Sequence, residues 1–436
     1  MEPSEFIIDI CLEAVESDSV THKNRIGAVA GAVGALVTIG SLGLASPIAV
    51  PLVLAGGALA GARGESAVKK TAQGIGSTVG NMALGIAGGI TGFLDLFKSD
   101  EEFFKRGIER LENGQYAEAF DDFTQAIAIN PQHADAHFLR GCILSDSGDY
   151  QAAIEEYTQT IQIVPDYAGA YSNRGHILAS QQNYEAAIFD YTKSIEIDPT
   201  DGDIFFTRAN AYVALEKYES AIADYNKVIQ IEPDCIDAYF IRGCLHIELE
   251  SFKEAILDFD YVIKISPNEA NPYFQRGAAR AELKDNQGAI QDFNKAISIE
   301  PNNIDFYFLR GMSYAWLKNY NKAILDYSKV ISTESDYVDA YYERGCVRRE
   351  KGDIRGAISD FSQVITLDSE YVDAYVKRGH AYIKKGDRQE AIEDFQKAIS
   401  LFRKESMLEE GRKLQDVINS LKHEIKNTPW WQKRIF

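Results

Sequence analysis

Residues 270–303 read ANPYFQRGAARAELKDNQGAIQDFNKAISIEPNN, which is two short helices and a turn. Tyr273, Gly277 and Arg280 space one face of the first helix. Ala289, Phe293, Ala296 and Ile297 space one face of the second, and Pro301 ends it. Lys284-Asp285-Asn286-Gln287 is the polar break between them. A unit this small cannot bury both apolar faces alone, so it needs copies of itself as neighbours.

The copies are present. Pro131, Pro165, Pro199, Pro233, Pro267 and Pro301 follow one another at steps of 34 residues. Gly107, Gly141, Gly175, Gly243, Gly277, Gly311, Gly345 and Gly379 keep the same step, with Ala209 in the one remaining slot. Alanines from Ala119 to Ala391 keep it too, and four residues after each stands an aromatic: Phe123, Tyr157, Tyr191, Tyr225, Phe259, Phe293, Tyr327, Phe361 and Phe395. In period and in its small-small-aromatic-proline pattern the chain resembles the tetratricopeptide repeat (TPR) family. The resemblance implies an all-α fold, a right-handed superhelical solenoid of about nine TPR helix pairs over residues 99–403; the Gly/Ala-rich hydrophobic region before it reads as helical from its own residues. Fold of this kind says little about chemistry, which is argued from sites.

Composition narrows the partners. The 436-residue chain has a formal net charge of −20, which argues against nucleic-acid binding through phosphate neutralisation. It favours basic or apolar protein partners. Of the five cysteines, Cys142, Cys244 and Cys346 share one repeat slot, three repeats apart, and none forms a CxxC. They read as small groove-facing residues in a reducing compartment, with no disulfide frame.

Residues 1–25 are a short acidic amphipathic segment, without the order of charges a signal peptide needs. Residues 26–98 are glycine-rich and hydrophobic. From Ile26 to Ala62 no charge occurs, and Pro47 and Pro51 suggest a hairpin of helices. Glycines recur one helical turn apart, at Gly27 and Gly31, Gly57 and Gly61, Gly76 and Gly80, and Gly85 and Gly89. Small residues at that spacing let helices approach closely in lipid, while glycine weakens a helix in water by about 1 kcal/mol per residue. The reading is a membrane-associated, self-associating helical region; a soluble, linker-like element is the other. Lys23 and Arg25 before the hairpin and Arg63, Lys69 and Lys70 after it place both flanks on the cytoplasmic side; the repeats emerge on the opposite face if 71–94 also crosses and stay cytoplasmic if it lies in the interface or packs on the hairpin, which its polar residues favour.

Beyond the last repeat, residues 404–425 read as a capping helix, with Leu414, Ile418 and Leu421 at helical spacing. Residues 426–436 are an aromatic and basic tail around Trp430 and Trp431.

Two charged slots recur in every repeat. Arginine precedes the glycine slot from Arg106 to Arg378, and an acid precedes the second-helix aromatic from Asp122 to Asp394. Nine of each suggest a paired ladder that fixes repeat-to-repeat geometry, against the alternative of an arginine row gripping acidic ligands. The groove positions implied by the resemblance carry Phe138, Phe206, Phe240, Phe274, Phe308 and Tyr342, with Asp135, Asp203, Asp237, Asp305, Asp339 and Asp373 beside them. An aromatic row flanked by carboxylates suits a peptide with apolar and basic side chains, unless the aromatics serve as packing. Chaperone-tail-binding members of the family clamp a carboxylate with groove Lys and Asn; only Asn210 matches here.

His133 and His137 flank Asp135, yet His137 fills a packing slot and no further ligand is visible. No GxxxxGK[ST], HExxH or GxSxG motif occurs. The expectation is a chain that is not an enzyme and takes no cofactor and no metal. It is a scaffold for protein–protein interaction, tethered at a membrane. The alternative is a membrane-active effector whose glycine-zipper helices permeabilise the bilayer under control of the repeats.

Overall fold

The computed structural model describes residues 98–404 and 408–427. The segment 1–25, the glycine-rich stretch with Gly27, Gly31, Gly57, Gly61, Gly76, Gly80, Gly85 and Gly89, and the tail from 428 onward lie outside the described residues.

Every regular element among the described residues is an α-helix. Nine pairs follow in order. They are α1 (Asp100–Glu112) with α2 (Tyr116–Ile129), α3 (Ala134–Ser147) with α4 (Tyr150–Ile163), and α5 (Ala168–Ser180) with α6 (Tyr184–Ile197). Then come α7 (Gly202–Ala214) with α8 (Tyr218–Ile231), α9 (Ile236–Glu248) with α10 (Phe252–Ile265), and α11 (Ala270–Glu282) with α12 (Asn286–Ile299). The last three are α13 (Ile304–Trp316) with α14 (Tyr320–Thr333), α15 (Val338–Lys351) with α16 (Ile354–Leu367), and α17 (Val372–Lys385) with α18 (Arg388–Lys404), after which α19 spans Leu408–Asn427. The helices fall into two compact units that divide at Leu245 and His246, inside α9. Within each unit, successive helices pack on one another.

Between α11 and α12 the break is shorter than the polar run suggests. Asn286 and Gln287 already belong to α12, because Asp285 caps it, its carboxylate accepting from the Gly288 N–H at 2.9 Å. Two physical devices define each hairpin. The first is a left-handed residue in the turn, at Gly114, Gly148, Gln182, Glu216, Glu250, Lys284, Lys318, Gly352 and Gly386. These positions are 34 apart, and five of the nine are not glycine, so the turn geometry overrides the residue's own preference. The second is the glycine slot. A Cβ on Gly277 would lie 2.8 Å from the Phe293 ring, so the missing side chain is what lets the two helices close on the aromatic. Phe293 and Ala289 are fully buried there.

In the unit ending at Leu245, the core gathers Phe103, Phe123, Phe138 and Tyr157 in one cluster and Phe205, Tyr225, Ile241 and Leu245 in another. In the other unit, α19 lays Leu414, Ile418 and Leu421 over Phe395, Ile399 and Phe402. Its opposite face exposes Arg412, Lys413, Asp416 and Lys422. A closing helix with one apolar and one charged face ends a stack without leaving an apolar surface in water.

Candidate partner-binding face

The arginine row is spoken for. Arg174, Arg208, Arg310, Arg344 and Arg378 each reach the carboxylate of their own repeat with both Nε and Nη2. For Arg310 and Asp326 the distances are 2.9 and 2.7 Å. These forks join the two helices of one hairpin, so the expectation that they set repeat-to-repeat geometry is corrected. The third nitrogen, Nη1, does that. It reaches back to the second helix of the preceding repeat: Arg140 to Thr124, Arg174 to Thr158, Arg208 to Thr192, Arg242 to Asn226, Arg310 to Asn294, Arg344 to Ser328 and Arg378 to Ser362. Arg276 binds Asp260 the same way. The acceptor slot directly follows the second-helix aromatic and is small and polar from Thr124 to Ser362, a signal present in the sequence.

Burial is felt in these pairs. It pushes the Asp326 and Asp394 carboxyls up, against the pull of Arg310 and Arg378. The bond to Asp190 raises Arg174, outweighing burial.

The aromatic slot divides. Phe138, Phe274 and Phe308 are buried, so at these three positions packing is the role; Phe206, Phe240 and Tyr342 are half-buried and keep some surface. The rings tie one repeat to the next. Phe138 stacks on Tyr167 at 4.9 Å, Phe308 on Tyr337 at 5.4 Å and Tyr342 on Tyr371 at 5.2 Å, each 29 residues on. Phe274 meets Phe306 at 4.9 Å.

The acids stay nearer the surface. Asp135, Asp203 and Asp373 are exposed, and Asp237, Asp305 and Asp339 are half-buried. The Tyr167 hydroxyl donates to Asp135 at 2.9 Å, and the Tyr371 hydroxyl bonds Asp339. Burial raises the carboxyls of Asp237 and Asp339, and that of Asp146 to about 6. A half-desolvated carboxylate gains most from an incoming cation.

Cys142 is not groove-facing but buried, with the Asn173 amide donating to its Sγ at 3.6 Å, and burial pushes the thiol up to about 12. His137 is held by Glu156 at 2.8 Å and by the Pro131 carbonyl at 3.3 Å, while His133 Nδ1 caps α3. Among the described residues no group of His, Cys, Asp and Glu is placed to hold a metal ion, and no helix is long and apolar enough to cross a membrane.

Family models described as tetratricopeptide repeat match residues 104–168, 168–201, 190–223, 236–337 and 372–404, and one described as TPR repeat matches 209–249 and 345–386. The chain belongs to the tetratricopeptide repeat family. No curated protein matches it. Among solved structures, the TPR stack is similar to the crystal structure of MamA, at 25% identity over 38% of this chain and 96% of that one, with a TM-score of 0.37. It is similar to YrrB, titled a TPR protein with an unusual peptide-binding site, at 24% identity over 43% of this chain and 96% of that one, TM-score 0.40. A tetratricopeptide repeat protein from Parabacteroides merdae is 21% identical over 57% of this chain and 98% of its own, TM-score 0.40. TPR proteins of this kind serve protein interaction.

Proposed function

We propose that this chain is a non-enzymatic scaffold whose first helices bind a peptide with basic and apolar side chains. The observation that carries the reading is the acid slot. Asp135, Asp203 and Asp373 stand exposed at the start of α3, α7 and α17, in a chain of net charge −20. Cationic side chains of a partner approach these carboxylates with long-range attraction, and its apolar side chains settle against the half-buried rings of Phe206 and Phe240, which lie in the same unit as Asp203. The test is an array of peptides alternating Lys or Arg with Leu or Phe, against the same peptides carrying Glu. Binding is expected only for the basic set, weakening about tenfold in Asp203→Lys and with rising salt. Equal binding of both sets overturns the proposal.

The tether is a further part of it. Residues 26–98, uncharged from Ile26 to Ala62, hold the repeats at a membrane, facing the cytoplasm. Full-length protein recovered in the soluble fraction without detergent overturns this part. The glycines spaced four apart favour a second reading, an effector whose N-terminal helices assemble and permeabilise a bilayer. Dye leakage from liposomes with residues 1–98 alone supports the effector, and stable anchoring without leakage supports the tether.

A further inference from the structure

Glu343 lies on α15, on one face with Asp339 a turn before it and Cys346 a turn after. All three are half-buried. Asp339 takes the Tyr371 hydroxyl, whereas Glu343 makes no hydrogen bond and no ion pair to any described residue. Lys377, its counterpart one repeat on in α17, favours the charged carboxylate from a distance, yet no ion pair joins the two. In the five repeats before it the same slot is neutral, with Asn173, Thr207, Ile241, Gln275 and Leu309.

The floor beneath Glu343 carries a second unmade bond. Tyr327 of α14 is fully buried, and its hydroxyl has no hydrogen-bond partner among the described residues. Glu343 and Cys346 are foremost among the ionisable groups that act on it. In the third repeat the corresponding Tyr191 bonds Thr207, sixteen residues on, and Glu343 stands sixteen residues after Tyr327. The hydroxyl is therefore aimed at the slot of Glu343, whose carboxylate is not engaged with it. A buried donor and a half-buried acceptor left apart mark a site that a further group completes.

Charge says which group. Asp339, Glu343 and Asp373 stand against one cation, Lys377, because the next base, Arg349, is tied to Glu350 at 3.0 Å. Burial, and then repulsion from Asp339, push the Glu343 carboxyl up to about 7. Tyr342 and Tyr371, with ring centroids 5.2 Å apart, wall the place. An incoming cation gains two carboxylates and a pair of rings for its alkyl stem. An apolar side chain leaves Glu343 unpaired, and an anion meets the wrong sign.

We propose that Glu343 is the residue that takes a cationic side chain of a bound peptide, with Asp339 as the second carboxylate. The Tyr327 hydroxyl then donates to the Glu343 oxygen turned inward. This rests on the reading that the first helices bind basic peptides, and it adds a selective contact in the unit that begins at His246. The groups facing Glu343 are Asp339, Tyr342 and Cys346 on its own helix, Tyr327 from α14, and Tyr371 and Lys377 from the next repeat. Burial raises the three tyrosines and pushes the Cys346 thiol up to about 12, so these stay neutral near pH 7. Empty, Glu343 holds a proton below about pH 7; occupied, it is ionised. Binding in that range releases the proton, so affinity falls as pH falls.

The experiment uses the full chain and labelled peptides that alternate Arg with Leu, titrated at pH 8 and pH 5.5. Each Arg is replaced in turn by citrulline, which keeps the shape and removes the charge. One such replacement is expected to cost the parent chain about tenfold in affinity and Glu343→Gln almost nothing. Parent affinity falls on the order of tenfold from pH 8 to pH 5.5, and that of Glu343→Gln stays flatter. Tyr327→Phe weakens binding several-fold in the parent and adds nothing to Glu343→Gln. Glu343 has no partner to lose in the folded chain, and matched thermal melts check that the variant folds. Peptides that bind parent and Glu343→Gln equally, with one pH profile, overturn this assignment and leave the basic-peptide reading standing. Arg peptides that fail to bind the parent overturn both.

Discussion

Arg310 and Asn294 stand sixteen residues apart and in different repeats, yet Nη1 of the guanidinium donates to the Asn294 side-chain oxygen at 2.6 Å. The same arginine holds Asp326 of its own repeat with its other two nitrogens. One side chain therefore closes a hairpin and fastens it to the hairpin before. An Arg fork is suited to this because its donors are fixed in one plane and diverge.

The backward bond is open to test at Thr192, which accepts from Arg208 Nη1 at 3.0 Å. Thr192→Val keeps the shape and removes the acceptor. The expected loss is about 1 kcal/mol, read as a lower urea midpoint, since one donor is left without its partner. An unchanged midpoint would show that the contact carries no stability.

The forward pair is more costly to break. Asp326 is buried beside Arg310, and Asp326→Leu leaves the guanidinium charge uncompensated, at about 3 kcal/mol. Arg310→Met combined with Asp326→Leu is expected to recover most of the loss, because the pair itself contributes little beyond its own desolvation. Thermal melts of the three variants decide it, and a double variant as unstable as the single one refutes the account.

Lys318 turns the chain between α13 and α14 at φ +58°. Lys318→Gly relieves a left-handed conformation that costs an L-residue about 1–2 kcal/mol, and gives back part of this through the freer unfolded chain. The net expectation is a gain of about 0.5–1 kcal/mol, seen as a raised melting temperature. A fall would mean that the lysine side chain holds the turn.

His176 sits against Tyr191 with ring centroids 5.3 Å apart, and burial pushes its pKa down to about 4 from the usual 6.5. In that window the unfolded chain binds the extra proton and the folded chain does not. The neutral imidazole therefore contributes stability that is complete above pH 6.5 and is lost as pH falls toward 4. The loss is about 3 kcal/mol by the size of the shift. His176→Ala is expected to show a flatter stability profile between pH 7 and 4.5, and an identical profile would remove His176 as the source.

Much of this was legible in residue order. The helix pairs, the glycine slot against the aromatic, and the pairing of Arg with Asp all follow from types that recur every 34 positions. The reach of the pairing was misread, because Arg310 and Asp326 mark a repeat-internal contact, while the acceptor at Asn294 looks like any surface amide. The aromatic slot was legible as a row, but Phe138 and Phe206 are the same residue at the same slot with different exposure. The neighbour makes the difference: Tyr167 closes over Phe138, whereas the position 29 residues after Phe206 holds the smaller Cys235.

By itself, the sequence determined the period, the two-helix unit and the slots that must be small, aromatic or charged, because near-identical units leave one way of burying their apolar faces against one another. Only the tertiary structure decided which recurring residues are consumed by packing and which remain for a partner. A helical period places a side chain relative to its own axis. Its burial depends on a second helix that arrives from the next repeat, and nothing in the local spacing states what that helix brings.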